Sequence, residues 1–185
     1  MKNRSFSQTI VEPYAEALMT LAKEHNLVEI FGNDIQSILT TLKSSEDLNR
    51  LLSAPLVPEN VKKDLLVSLF SAEVNPLIAS FLGILVERRR ILFLEAICLK
   101  FQALLRVMNQ VALAEISSAV TLSETQQETL KQKVKELTGA TSVELSIKLN
   151  PDLIGGVIIK VGSQVIDASI RGQLRRLTSG LMANV

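Results

Sequence analysis

The chain reads as a mainly α protein: an N-terminal six-helix bundle over residues 1–108, followed by a small α+β C-terminal domain over residues 109–185. Three observations predict this. Apolar residues recur at helical spacing, with brief punctuation, throughout the first part. From Val143 the period becomes two, as Val143, Leu145, Ile147 and Leu149 alternate with Glu144, Ser146 and Lys148. Val157 to Asp167 then reads as a β-hairpin, with Gly162-Ser163 as a primed two-residue turn.

Taken in order, the first helix carries the stripe Ile10, Tyr14, Ala17, Leu18 and Leu21, with Pro13 expected in its first turn, where a missing N–H costs little. His25-Asn26 ends it. The second runs from about Leu27 to Leu42 through Ile30, Phe31, Ile35, Ile38 and Leu39, despite Gly32 inside it. Ser45 before Glu46-Asp47 is an N-cap for a short third helix that Pro55 ends. Pro58-Glu59 starts the fourth helix, and Asn75-Pro76 caps a fifth through Leu77, Phe81, Ile84 and Leu85. After Glu87 to Arg90 the stripe Leu94, Ile97, Phe101, Leu104, Leu105, Met108 forms the sixth. Amphipathic helices joined by short loops bury their stripes only against one another, hence a bundle.

Val111 opens a β-branched, small-residue stretch expected to be a strand. Ser123 with Gln126 forms a capping box for a helix carrying Leu130, Val134 and Leu137, and Gly139 stands just past its end. Gly155-Gly156 at the head of the hairpin marks a bulge or a close backbone approach. Ile170, Leu174, Leu177 and Leu181 give a final helix expected to close the sheet, with Arg171, Arg175 and Arg176 mostly off its stripe.

Composition narrows the function. Lys and Arg number 20 against 19 Asp and Glu, spread evenly, and there are six Phe, one Tyr and no Trp. A nucleic-acid binder needs a clustered basic surface or stacking aromatics, so that class is disfavoured. Mean hydropathy is positive at +0.28, yet the longest uncharged apolar run, Leu77 to Val86, falls far short of the roughly 20 residues a membrane-crossing helix needs. The N-terminus lacks the apolar core of a secretory signal. Cys98, the single cysteine, sits on an apolar stripe and reads as a buried structural thiol.

Chemistry is hard to place. His25 is the only histidine, which removes paired-His metal sites and fits the polar end of a helix. No phosphate-loop pattern occurs and no carboxylate pair recurs at an acid–base spacing. Arg88-Arg89-Arg90 suits the negative pole of a helix. A binding module is the favoured class, without catalytic, metal or cofactor residues and without a small-molecule substrate.

Pro13-Tyr14-Ala15-Glu16-Ala17-Leu18, Glu87-Arg88-Arg89-Arg90-Ile91, Ala114-Glu115-Ile116-Ser117-Ser118-Ala119, Leu122-Ser123-x-x-Gln126 and, most specifically, Pro151 to Leu177 resemble the delta subunit of F-type ATP synthases, the oligomycin-sensitivity-conferring protein of mitochondria. The resemblance spans the chain in order, and its texture is closest to the cyanobacterial or plastid branch; the missing transit segment fits a bacterial or organelle-encoded product. Many relatives carry Gly-Arg where this chain has Arg89-Arg90.

The resemblance implies a non-catalytic peripheral-stalk (stator) subunit that helps resist rotor torque during proton-driven ATP synthesis. It would sit at the cytoplasmic or stromal face of an energy-transducing membrane such as the thylakoid, held there peripherally through the complex. It places the N-terminal helix of an alpha subunit in a groove between the first and fifth helices, on Tyr14, Ala17, Leu18, Leu21, Leu77, Phe81 and Ile84. It places b-type stalk subunits on the C-terminal domain, where Arg171, Arg175 and Arg176 are the candidate contacts. An unrelated two-domain adaptor for amphipathic helices is the alternative, with an enzyme that uses the hairpin glycines to approach phosphate behind it. Stabilisation by partner peptides against stabilisation by nucleotides separates these classes.

Overall fold

A computed structural model describes residues 2–70 and 73–182, with side chains for all of these except 2–8 and 179–182. The chain is mainly helical with one small four-stranded sheet, and it divides into two compact units, residues 1–105 and 106–185.

The first unit is built from α1 (Lys2–Glu24), α2 (Val28–Ser44), α3 (Glu46–Ser53), α4 (Glu59–Phe70), α5 (Pro76–Glu87), a 3-10 turn at Ile91–Phe93 and α6 (Leu94–Met108). Its core includes Ala15, Phe31, Ile35, Leu85, Ile97 and Phe101, all essentially inaccessible. Helix ends follow the expected chemistry. Ser45 Oγ accepts from the Leu48 N–H, and Asn75 Oδ1 accepts from the Leu77 N–H. Asp34 of α2 accepts from the Asn75 N–H at 2.7 Å and fixes where α5 starts. Gly32 is tolerated inside α2 because α6 comes close: a Cβ there would lie 2.8 Å from Leu105, and Gln102 donates to the Gly32 carbonyl.

Two expectations for α1 need correction. Pro13 lies in the interior of the helix, because the helix begins at Lys2 and leaves Pro13 well past its first turn. The core face is Val11, Ala15, Leu18, Met19 and Ala22, whereas Ile10, Tyr14 and Leu21 are only half-buried and Ala17 is exposed. Alanines at the tightest positions let neighbouring elements approach, so size alone misplaces the buried face by about one residue.

In the second unit β1 (Val111–Ser118), α7 (Glu124–Thr138), β2 (Ser142–Leu149), β3 (Val157–Val161), β4 (Gln164–Asp167) and α8 (Ile170–Met182) follow in order, with a 3-10 turn at Pro151–Leu153. The sheet order is β2-β1-β3-β4, with β1 and β2 parallel and the other pairs antiparallel. A parallel pair needs a crossover, and α7 supplies it. The capping box at Ser123 and Gln126 is complete, and Gly139 adopts the left-handed conformation that ends α7. Ala114, Ile116, Leu122, Val134 and Ile159 make the small core.

Gly156 has φ +76°, and a Cβ on it would collide with the Ala168 carbonyl; Gly155 lies under Ile170. The glycine pair is therefore a close backbone approach, sealed by the Ala168 N–H to Val157 O and Ile170 N–H to Gly155 O bonds, both 3.0 Å. Gly162, with φ +57°, takes the first position of the hairpin turn. Leu149, expected on the half-buried face of β2, is 60% exposed at the strand's end. Among the described residues the final helix leaves much of its apolar stripe uncovered rather than closing it onto the sheet. Ile170, Leu174 and Leu177 are 44%, 51% and 65% exposed, while Gly172 on another side of α8 packs against Asp167. Leu181 lies outside the described side chains.

Candidate functional site

The expected groove residues fall on two helices that touch. Tyr14 of α1 meets Phe81 of α5 edge-on, ring centroids 6.2 Å apart at 63°, a favourable aromatic geometry. Leu21, Leu77 and Phe81 are half-buried, Ala17 is exposed and Ile84 is 48% exposed. Leu18 is different. At 2% exposure it belongs to the core and lies beneath this surface, out of reach of a partner. Ile84 also lines the cleft between α4 and α5, with Val67 and Leu66, so it stands on a crest of α5 rather than squarely beside α1.

One residue holds this surface and was not among the expected contacts. Arg90 Nη1 donates to Tyr14 Oη at 2.8 Å, and its guanidinium carbon lies 5.3 Å from the ring centroid. A hydrogen bond and a cation–π contact on one ring fix its tilt. Nothing local in the sequence pairs two residues 76 positions apart.

The three arginines after α5 thus have separate positions. Arg88 is the C-cap; Arg89 has φ +55° and pairs with Glu59 at 2.7 Å; Arg90 reaches Tyr14. The Arg90 N–H bonds Leu85 O and the Arg89 N–H bonds Val86 O, a Schellman end in which glycine is the usual left-handed residue. Arg89 occupies that place.

In the second unit Arg171, Arg175 and Arg176 are all exposed on α8. Arg175 approaches Asp167 at 4.0 Å, and Arg176 donates to the Asp167 carbonyl at 3.4 Å. Asp167 Oδ1 accepts from the Ser169 hydroxyl at 2.6 Å and the Ser169 N–H at 2.9 Å. Ser169 Oγ in turn accepts from the Gly172 N–H, starting α8. These Ser169 bonds, with smaller help from Arg176 and Arg175, hold the Asp167 carboxyl below its ordinary range against a modest desolvation. Two of the three arginines therefore brace the turn into α8, and the apolar stripe Ile170, Leu174, Leu177 is the larger unoccupied feature.

Burial, then the nearby Glu95 charge, pushes the Cys98 thiol up to about 12, so it has no thiolate to offer. Among the described residues no group of three or more His, Cys, Asp and Glu side chains is arranged to hold a metal ion.

The comparisons with known proteins agree among themselves. The ATP synthase delta (OSCP) subunit family matches residues 10–181. ATP synthase subunit delta of a Cyanothece species is 50% identical over 181 residues, covering 98% of each chain. The subunit of the same name from a Synechocystis species is 49% identical over 177 residues, covering 96% of each. In the cryo-EM structure of the Toxoplasma gondii mitochondrial ATP synthase hexamer, one chain superposes with a TM-score of 0.79 at 27% identity, covering 95% of this chain and 98% of that one.

Proposed function

Because the chain belongs to the ATP synthase delta (OSCP) subunit family, we propose that it ties the catalytic head of an F-type ATP synthase to its stalk through two helix-binding surfaces, one in each compact unit. It is a peripheral-stalk component and not the catalytic subunit. The N-terminal unit, acting as one six-helix bundle, receives the amphipathic N-terminal helix of an alpha subunit on Tyr14, Ala17, Leu21, Leu77, Phe81 and Ile84, with Leu18 as the floor. The small α+β C-terminal domain holds the ends of b-type stalk subunits on the α8 stripe, flanked by Arg171, Arg175 and Arg176.

The observation that carries this reading is apolar surplus. α1 and α5 bury one face in the core and keep a second arc, Tyr14, Ala17 and Leu21 with Leu77, Phe81 and Ile84, partly in water; α8 keeps Ile170, Leu174 and Leu177 there. Exposed apolar residues at helical spacing are what a partner helix covers. Joining two modest contacts through one chain raises the combined hold by effective concentration, which a clamp against rotor torque requires. No described helix is long and apolar enough to cross a membrane, and the chain works peripherally at the cytoplasmic or stromal face of the thylakoid or a similar membrane. No cofactor takes part.

Titration of the alpha N-terminal peptide tests the first surface. Ala17→Arg, at an exposed position, should weaken binding by about tenfold or more with helical circular dichroism unchanged; an unaltered titration refutes the groove. For the second surface, Leu174→Asp should reduce recovery of b subunits more than Arg171→Glu does, and the reverse order would transfer the contact to the arginines.

A further inference from the structure

A cleft of about 570 Å³ opens between the loop joining α3 to α4 and the turn joining α5 to α6, within the size range of ligand sites. None of the residues assigned above to the alpha or b subunits lines it. Lys62 does, although only 8% exposed. Its Nζ donates to the carbonyls of Leu52 and Ala54, both at 2.8 Å, at the C-terminal end of α3, and among the described residues it has no carboxylate partner. A helix end carries about half a negative charge, which offsets only part of the ammonium's charge. Two of its three N–H groups are used, and one remains.

Arg89, in its left-handed conformation, and its partner Glu59 also line the cleft, joined through Arg89 Nε. The other N–H groups of a guanidinium fork remain for a second acceptor. The rim is apolar: Leu56 is 94% exposed and Leu92 56%. Pro55 and Pro58 restrict the loop carrying Leu56, so little ordering entropy is lost when that side chain is covered.

We propose that this cleft seats an acidic–aliphatic peptide segment of a partner protein, its carboxylate between Lys62 and Arg89 and its aliphatic side chain between Leu56 and Leu92. The nearly naked Leu56 favours a peptide over a small carboxylate, which would leave that leucine in water.

The test uses the isotope-labelled full chain, titrated with a blocked hexapeptide alternating leucine and glutamate, with its glutamine twin and with octanoate. Expected are saturable shifts of the Leu56 and Leu92 methyls and the Lys62 amide with the acidic peptide, and binding weaker by about tenfold or more for the twin and for octanoate. Arg89→Gly, which suits the left-handed position, should weaken the acidic peptide alone, and Leu56→Asp should abolish its binding. Absence of saturable shifts in the cleft overturns the proposal, as does equal binding of the twin; octanoate binding as tightly as the peptide overturns the choice of partner.

Discussion

Gly156→Ala offers the sharpest test of the C-terminal fold because the same unit contains built-in controls. Gly139, Gly156 and Gly162 all have left-handed backbones, with φ of +67°, +76° and +57°. A Cβ at Gly139 or Gly162 would meet nothing within 4 Å. Alanine at either should therefore cost only the left-handed penalty, about 1 kcal/mol. At Gly156 the Cβ would overlap the Ala168 carbonyl, with the Ser169 Cα 3.1 Å away. Relief requires the strand-to-helix segment to move off β3, which stretches the Ala168-to-Val157 and Ile170-to-Gly155 hydrogen bonds. At about 1 kcal/mol each, their loss brings the total to about 3 kcal/mol. Fluorescence will not report it, since the lone tyrosine, Tyr14, lies in the other unit and there is no tryptophan. Native-state amide exchange of the β1 and β3 ladders will. If Gly156→Ala falls within about 0.5 kcal/mol of Gly162→Ala, an ordinary margin for independent sites, the close approach of Ala168 is refuted.

Arg89→Gly should stabilise the first unit by up to about 1 kcal/mol, since it relieves a left-handed residue and loses only an ion pair whose arginine is 86% exposed; Tyr14 fluorescence during urea unfolding reads the change. Cys98, with its thiol near 12, should resist alkylation in the folded chain from neutral pH to pH 9, reacting only as fast as the unit opens; prompt labelling would contradict its burial. The lowered Asp167 carboxyl adds stability above its unfolded range, about pH 3.9, and this is lost as pH falls through the lower folded value. Exchange protection of the Gly172 amide should hold down to about pH 4 and fade only below it, and Asp167→Asn should remove that acid dependence.

Most elements were legible because their ends carry local chemistry. Ser45, Asn75, the Ser123–Gln126 box and Gly139 each act within a few residues, so the sequence displays both partners. The buried face of α1 was less legible, since Ala15 and Ala22 sit at the tightest positions and a stripe drawn through large residues runs past them. The destination of α8 was not legible at all. An amphipathic pattern states that a helix has an apolar face, not whether this chain or another covers it, and here the described part of that face is exposed. Arg90 on Tyr14 was hidden for a different reason: long-range polar pairs leave no periodicity.

The α8 stripe also bounds how the proposed stalk contact would work. Fully burying a leucine or isoleucine side chain contributes about 1.5–3 kcal/mol. With roughly half of Ile170, Leu174 and Leu177 already covered, the remainder is about 1 kcal/mol each, or about 3 in all. Association costs at least about 4 kcal/mol before any gain. On the proposed reading the described stripe is therefore too small to hold a b-type subunit by itself, and in a complex that presents both alpha and b subunits the N-terminal groove shares the hold. Contacts in separate units with no common partner residue should add in free energy. Ala17→Arg combined with Leu174→Asp should then lower affinity for a complex presenting both alpha and b subunits by the product of the two single-variant factors. A double variant no weaker than the weaker single would mean that only one unit bears the load.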